Sequence, residues 1–192
     1  LKELKISDYA FPHFNHFEIQ NDTLLDTLDI GSYCFANWAH VEVRGLSSLK
    51  KWIVSPHAFG GDGELSVSDC PSMTELLFAD SAFGWFDELS IRSMDSLETI
   101  RIGSNSFWDV KAFELDSLPK LALLSIGNES FRGEKGRVSI KKCDELRELR
   151  IGNYSFSGYS SIDIKSNKAL VLVELGVSAF SAASSFELTG FL

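Results

Sequence analysis

The stretch LETIRIGSNSF, residues 97–107, decides the fold, because its pattern of apolar residues returns along the whole chain. It ends in a small residue followed by Phe, and this pair recurs at a spacing of 24 residues, with one step of 25. The eight Phe of the series are Phe11, Phe35, Phe59, Phe83, Phe107, Phe131, Phe156 and Phe180. A fixed period in this range is typical of a repeat array such as a solenoid or a propeller.

Two pairs of apolar columns accompany the Phe in every repeat. Ile100 and Ile102 precede Phe107, and Phe113 and Leu115 follow it. Alternating apolar residues rich in Ile, Val, Leu and Phe predict short β-strands whose inward side chains form the core. Four-stranded propeller blades need about 40 residues, so a repeat of 24 residues is too short for them. The pattern therefore predicts a solenoid with two strands in each coil.

The predicted architecture is a mainly β solenoid of about eight coils, a right-handed stack that is either leucine-rich-repeat-like or β-helix-like. Its strands form two parallel ladders, and at about 4.8 Å per coil the rod is about 38 Å long. We expect a short helical or 3₁₀ turn at each small-residue–Phe step. Gly follows the first strand in five repeats, which we attribute to the positive φ that Gly tolerates at a bend. These residues are Gly31, Gly103, Gly127, Gly152 and Gly176.

The repeats divide the chain into eight units that we expect to form one domain. Their bounds are 1–24, 25–48, 49–72, 73–96, 97–120, 121–145, 146–169 and 170–192. The extra residue of the sixth unit falls within 132–137, where a loop absorbs it at little cost. Neither terminal unit has the polar face of a capping repeat. We therefore expect flanking repeats or domains of a longer array to contact both ends.

The motif L-x-x-L-x-I-G-x-x-[SA]-F resembles the repeat of the BspA-like leucine-rich-repeat family. It stands at residues 97–107 and again at 146–156, and the resemblance extends over essentially the whole chain. The resemblance implies a leucine-rich-repeat solenoid that acts in surface adhesion and in the binding of proteins or other ligands. It implies no catalysis.

The composition is that of an ordinary globular protein, and its charge narrows the choice of partners. With 27 Asp and Glu against 18 Lys and Arg, the net charge is −9. An acidic balance disfavours nucleic acid and anionic membrane surfaces as partners. No apolar run reaches the roughly 20 residues of a membrane span, and no signal-peptide pattern is visible. We expect a protein or glycan ligand along one face of the solenoid.

The three cysteines match no redox or metal-binding motif, since no Cys-x-x-Cys pair occurs. Cys34 falls in the small-residue column beside the Phe. Cys70 and Cys143 share a later column but lie three repeats apart, about 14 Å at the coil spacing, which is beyond the reach of a disulfide. We expect three buried free thiols.

Two other groups of residues could suggest a metal site, but neither group predicts one. His16 and His40 share a column with Glu64 and Glu88, which predicts a solvated loop edge more readily than a set of convergent ligands. Residues 60–65 contain part of a calcium-binding glycine motif, but the motif occurs once, so a tight loop is the better interpretation. No nucleophile motif is present. We expect no enzyme activity, no metal and no cofactor.

Two pairs of residues are candidates for partner binding. Ile53 and Leu77 are outward residues of adjacent first strands, and they form an apolar pair on the face that solenoids commonly use. Their alternative interpretation is scattered surface apolarity. Trp85 and Trp108 lie outside the inward columns, so we expect them to be exposed. The column three residues after the Phe is expected to point into the core, and its aromatic members are Phe14, Trp38, Phe86 and Tyr159.

The outward columns of the second strands mix acidic and basic residues, beginning with Glu18 and Gln20. Such a face is predicted to be solvated, with a docking surface as the alternative. Three sequons, at Asn21, Asn128 and Asn153, are candidates for N-glycosylation and fit a secretory route.

The repeat architecture predicts a non-catalytic binding module of a larger surface or secreted adhesion or recognition protein. The alternative is an intracellular scaffold or a structural subunit of a large assembly. The location is open between these two, and we favour the cell surface or secretion.

Overall fold

A computed structural model describes residues 1–37 and 39–190, in which the chain forms strands and turns and no helix. Every repeat contributes two strands, as the two apolar pairs predict. In chain order they are β1 (Glu3–Ile6), β2 (His16–Gln20), β3 (Thr27–Ile30), β4 (Ala39–Arg44), β5 (Lys51–Val54), β6 (Asp62–Ser68), β7 (Glu75–Phe78), β8 (Trp85–Arg92), β9 (Thr99–Ile102), β10 (Ala112–Asp116), β11 (Leu123–Ile126), β12 (Arg137–Lys141), β13 (Glu148–Ile151), β14 (Ser161–Lys165), β15 (Leu172–Leu175) and β16 (Ser185–Thr189).

The strands stack in parallel ladders, which confirms the predicted solenoid of about eight coils. The first strands of all coils form one eight-stranded sheet, sheet A, in the order β1-β3-β5-β7-β9-β11-β13-β15. The second strands form two four-stranded sheets: β2-β4-β6-β8 is sheet B, and β10-β12-β14-β16 is sheet C. The second ladder is therefore divided between β8 and β10. The register pairs residues of the same column, for example Trp52 with Leu76.

The Phe column forms one ladder of stacked rings through the rod. The centroids of neighbouring rings lie 4.8 to 5.6 Å apart. The rings of the interior coils are buried, whereas Phe11 in the first coil is 46% exposed. Offset aromatic stacking adds to the free energy of burying the rings. The ladder therefore forms the centre of the hydrophobic core.

The turn at each small-residue–Phe step is not the helical or 3₁₀ turn that we predicted. In all eight coils the Phe and the residue two before it have positive φ, between 53° and 61°. Left-handed residues at alternate positions reverse the chain within a few residues and are incompatible with a continuous right-handed turn. A third left-handed position follows the second strand, and Gly45 occupies it in the second coil.

Our explanation for the glycines after the first strand is wrong. Within the described residues, only Gly45 and Gly190 among the glycines have positive φ. The glycines after the first strand instead allow adjacent coils to approach closely. A Cβ atom added at Gly152 would lie 2.5 Å from the carbonyl oxygen of Gly127 in the preceding coil. At these five positions the close approach of adjacent coils, and not a positive φ, accounts for glycine.

The buried serines beside the Phe ladder have hydrogen-bond partners in neighbouring coils. Ser130 Oγ donates to the backbone carbonyl of Gly103 at 2.9 Å and accepts the backbone N–H of Ser106 at 3.1 Å. Ser155 Oγ makes the equivalent contacts one coil further, to Gly127 and Ser130. A buried hydroxyl without partners would destabilise the core. These bonds therefore link the turns of the fifth, sixth and seventh coils to one another.

The extra residue of the sixth coil lies beside a buried tyrosine. Tyr159 is fully buried, and its hydroxyl donates a hydrogen bond to the backbone carbonyl of Val110, two coils away. Gly136 packs against its ring, since a Cβ atom there would lie 2.6 Å from a ring carbon. Burial raises the pKa of Tyr159. The inserted loop thus encloses a side chain that connects three coils.

The two terminal coils expose residues of columns that are buried in the interior coils. Leu1 is 67% exposed in the first coil, and Leu175 and Phe186 are 42% and 50% exposed in the last. Phe14 is exposed for the same reason, whereas Phe86 and Tyr159 of its column are buried as predicted. Trp38 of that column lies outside the described residues. Each end of the rod is therefore an apolar surface.

Candidate functional site

Ile53 and Leu77 lie where the sequence places them, as neighbours on the outer face of sheet A. Both are half-buried, and the register pairs them across β5 and β7. Beside them, Lys51 and Glu75 form an ion pair at 2.9 Å. The pair lies on a sheet face and lines neither the cleft at Trp85 and Trp108 nor the cleft at Asn128 and Asn153.

Trp85 and Trp108 line a cleft of about 260 Å³ at the turn edge of the rod, away from Ile53 and Leu77. The cleft opens where Gly60 and Gly84 follow the Phe in two consecutive coils and offer no side chain. The remaining lining residues are His57, Ser81, Asn105, Trp85 and Trp108. We call this site the aromatic cleft.

Trp108 closes one end of the aromatic cleft. It occupies the same column as Gly60 and Gly84, one coil further along, and its backbone N–H donates to the carbonyl of Gly84 at 2.8 Å. The indole of Trp85 meets that of Trp108 edge-on, with centroids 4.8 Å apart and an interplanar angle of 61°. Trp85 is 47% exposed, as expected, while Trp108 is half-buried. The two rings form the apolar wall of the cleft.

Arg132 covers part of Trp108. Its guanidinium carbon lies 5.1 Å from the centroid of a Trp108 ring, which is within the range of a cation–π interaction. Arg132 also pairs with Glu129 at 3.4 Å. Trp108 therefore already holds one cation beside the cleft, and the chain itself supplies it.

The opposite side of the cleft carries polar groups. His57, Ser81 and Asn105 belong to the left-handed column two residues before the Phe, so their side chains reach the surface in consecutive coils. The ring of His57 stacks on Tyr33 at 4.7 Å, and Tyr33 stacks on Tyr9 at 5.0 Å. The stack leads from the first coil to the cleft.

Three exposed acidic residues lie near Trp85 in the strand register or along the chain. Asp62 is its register partner on β6, Asp87 follows it on β8, and Asp109 follows Trp108 in the next coil. Asp87 is the extra residue of a bulge, because Gly63 pairs with Phe86 and Glu64 with Glu88. None of the three carboxylates forms an ion pair with another described residue.

The carboxylates of sheet C differ from these three, because basic residues of adjacent strands pair with them. Lys141 lies 3.2 Å from Asp163, and Lys165 lies 2.8 Å from Glu187. The hydrogen bond with Glu187 raises the pKa of Lys165. Sheet C therefore has a largely compensated face, whereas the surroundings of Trp85 carry uncompensated negative charge.

The histidines of sheet B pair with carboxylates. His16 and His40 stack at 5.3 Å, His16 lies 2.9 Å from Glu18, and His40 lies 2.5 Å from Glu64. Across residues 1–37 and 39–190, no three His, Cys, Asp or Glu side chains are grouped so that they could hold a metal ion.

All three cysteines are fully buried and free, as predicted. Desolvation raises the pKa of each thiol, and it raises the pKa of Cys143 to about 11. A nucleophilic cysteine needs a lowered pKa and access to solvent. The thiols therefore have a packing role.

The three sequon asparagines are exposed. Asn128 and Asn153 also hold adjacent coils together, since the side-chain oxygen of Asn128 accepts the backbone N–H of Asn153 at 2.8 Å. Asn153 makes the same contact to Val177 at 2.7 Å. Both asparagines therefore have a structural function in the turn.

Sequence reasoning found the two tryptophans of the cleft but missed its other parts. His57, Ser81, Asn105 and Arg132 stand in columns with mixed composition, so the repeat pattern does not distinguish them. The available signal was the pair Gly60 and Gly84 directly before Trp108 in one column, which leaves room beside a large ring.

The chain matches no protein-family profile, no curated protein and no solved structure. In the part of the chain that the structure describes, no helix has the length and apolar character needed to cross a membrane. The geometry of the rod and of the aromatic cleft therefore carries the inference about function.

Proposed function

We propose that this chain is a non-catalytic, protein-binding repeat module of a larger surface or secreted adhesion protein, with a BspA-like leucine-rich repeat. The observation that carries the proposal is the aromatic cleft, which Trp85 and Trp108 line and beside which Arg132 packs on Trp108. Trp and Arg, with Tyr, are the residues that contribute most often to the free energy of protein–protein binding. The stack of Tyr9, Tyr33 and His57 extends the same surface along the rod.

Two features support a binding role over catalysis. The cleft of about 260 Å³ is lined by a single titratable side chain, His57, so its lining contains no acid–base pair. The largest pKa shifts belong to Cys143 and Tyr159, which are buried in the core and do not line the cleft. A partner would instead contact the rod as a rigid surface, as partners of other solenoids do.

A displayed peptide library tests this proposal. Peptides selected on the wild-type chain are expected to bind at least ten-fold more weakly to Trp85→Ala/Trp108→Ala, because the variant removes the apolar wall of the cleft. The control is Ile53→Glu/Leu77→Glu, which changes the flat face of sheet A and should keep the affinity. Fluorescence anisotropy measures binding, and circular dichroism confirms the fold of each variant.

The opposite result would be loss of binding only in Ile53→Glu/Leu77→Glu. It would place the partner on sheet A and contradict the aromatic cleft as the binding site. Selection of no peptide, with binding of a glycan from an array, would contradict a protein partner.

The ends of the rod favour a second candidate function, a structural subunit or intracellular scaffold. The terminal coils present apolar residues together with the unpaired edges of β1 and β15. Open edge strands with apolar residues promote edge-to-edge association. Lys5 of one copy would lie opposite Glu174 of another if β15 paired with β1 in the register of the interior coils.

Sedimentation velocity tests the second candidate. The wild-type chain is expected to associate as its concentration rises, and Leu175→Asp should keep it monomeric by charging the apolar end of the last coil. Val171→Asp is the matched control, because Val171 lies in the same coil but is 82% exposed directly before β15. A wild-type chain that stays monomeric at all concentrations would exclude association through the ends.

A further inference from the structure

We infer that the aromatic cleft binds an arginine or lysine side chain presented by a basic segment of the partner protein. This inference rests on the proposed function, since it names the chemistry of the partner at the same site. The juxtaposition that carries it is an exposed indole, Trp85, beside three carboxylates that have no ion-pair partner among the described residues.

The indole wall is the first part of the argument. The face of an indole attracts a cation placed within about 6 Å of the ring. Trp108 shows this interaction within the chain, because the guanidinium of Arg132 lies 5.1 Å from its ring. Trp85 meets Trp108 edge-on and keeps 47% of its surface exposed. Trp85 therefore offers a partner the kind of contact that Arg132 makes with Trp108.

The carboxylates are the second part. Asp62 lies opposite Trp85 on the adjacent strand, and the bulge places Asp87 on the surface two residues after Trp85. Trp108 is held next to Gly84 by a backbone hydrogen bond, so Asp109 falls beside Trp85 in the neighbouring coil. Carboxylates around an aromatic ring add charge attraction for a cation and repel an anion.

Most acidic residues of the second strands are paired, which sets the three carboxylates near Trp85 apart from them. Carboxylates of sheet C pair with lysines of adjacent strands, and Glu64 of sheet B pairs with His40. The net charge of −9 also favours the approach of a basic partner. The cationic side chain is thus attracted over a distance by the whole chain and is held at Trp85 by ring and carboxylates together.

Labelled model peptides test the inference. The probes are three peptides of equal length in which Gly alternates with Arg, with Gln or with Glu. In fluorescence anisotropy at physiological salt, the Arg peptide should bind at least ten-fold more tightly than the Gln peptide, and the Glu peptide should not bind. Trp85→Ala should weaken binding of the Arg peptide about ten-fold, although the net charge of the chain is unchanged.

A charge-matched pair of variants separates the cleft from the general negative charge. Asp62→Asn/Asp109→Asn removes two carboxylates beside Trp85, and Glu18→Gln/Glu42→Gln removes two from the outer face of sheet B. The first variant should weaken binding of the Arg peptide several-fold, and the second should leave it nearly unchanged. All four positions are on the surface, and circular dichroism of both variants verifies the fold.

Each outcome supports or overturns the inference. Equal weakening by the two charge variants, or full binding by Trp85→Ala, would show non-specific attraction and overturn it. Trp85-dependent binding of the Gln or Glu peptide would also overturn it, while the protein-binding proposal would stand. If no library peptide depends on Trp85 and Trp108, both the inference and the proposed function fail.

Discussion

Replacing Phe83 by Ala is expected to lower the free energy of unfolding by about 3–5 kcal/mol. Phe83 is fully buried, and its ring stacks on Phe59 at 4.9 Å and on Phe107 at 5.1 Å. It also meets Phe86 edge-on at 5.0 Å. The variant loses the apolar area of the ring and its aromatic contacts, and it leaves a cavity. The cavity cannot collapse easily, because ladder hydrogen bonds set the spacing of the coils on both sides.

The matched control for Phe83→Ala is Phe11→Ala. Phe11 occupies the same column, has the same left-handed backbone and undergoes the same chemical change. It is 46% exposed, however, and it stacks on one ring, Phe35, at 5.6 Å and meets Phe14 edge-on at 5.1 Å. We expect a loss of about 1 kcal/mol, because roughly half of the side chain is already in water. Urea unfolding followed by circular dichroism measures both variants against the wild type.

Repeat arrays do not always unfold in one cooperative transition, so a local measurement should accompany the global one. Hydrogen exchange of the amides in β7 and β9 reports the free energy of opening next to Phe83. Protection there should fall in Phe83→Ala and stay unchanged in Phe11→Ala. If the two variants lost the same free energy of unfolding, burial of the stacked Phe rings would not be the reason for the loss.

The coil number, the strands and their register could all be predicted from the columns. A strand side chain is either inward or outward, so an alternating pair such as Ile100 and Ile102 specifies both the strand and its buried face. A constant spacing then pairs each residue with its own column in the next coil, as Trp52 pairs with Leu76. Periodicity contains this information because stacking requires the same fit in every coil.

The turns could not be predicted in this way, because periodicity reports where side chains point and not the φ of the backbone. Of the two left-handed columns at this turn, one holds only Phe and the other holds Tyr, His, Ser, Asn and Glu; only Asn and His favour a positive φ, and each occurs in a single coil. Glu129 has a φ of 56° in the position that His57 occupies with 61°. Hydrogen bonds between coils, such as that from the N–H of Glu129 to the carbonyl of Asn153, hold the conformation in place.

The aromatic cleft was predictable only in part. Trp85 and Trp108 could be identified because they depart from the inward columns, but the spaces between columns and the bulge at Asp87 depend on coordinates. The cleft exists because two adjacent coils carry Gly60 and Gly84 where the next carries Trp108. Ile53 and Leu77 are adjacent as predicted, but they do not line this cleft. A repeat pattern thus reveals unusual residues more readily than the shape that they create together.

The second large effect is expected for Gly152→Ala, which should lower the free energy of unfolding by about 1–3 kcal/mol. The added Cβ would lie 2.5 Å from the carbonyl oxygen of Gly127 and 2.7 Å from the backbone nitrogen of Asn128. Both atoms belong to the backbone of the preceding coil, so no flexible side chain can move aside. The N–H of Gly152 also donates to the carbonyl of Ile126 at 2.8 Å, which sets the distance between the two coils. Relief of the overlap therefore requires that this bond lengthen.

Gly60→Ala is the matched control for Gly152→Ala, because its Cβ would meet only the carbonyl oxygen of His57, at 3.6 Å. The backbone of Gly60 has no positive φ, so Ala should change the stability by no more than about 0.5 kcal/mol. Ser55 and Ala79 occupy the column of Gly152 in the third and fourth coils, which shows that φ does not require glycine there. If contact between coils is the reason why residue 152 is glycine, urea unfolding will show a clearly lower free energy of unfolding for Gly152→Ala than for Gly60→Ala. Equal stability of the two variants would mean that the coils move apart at little cost in free energy. The close approach at Gly152 would then not require glycine at that position.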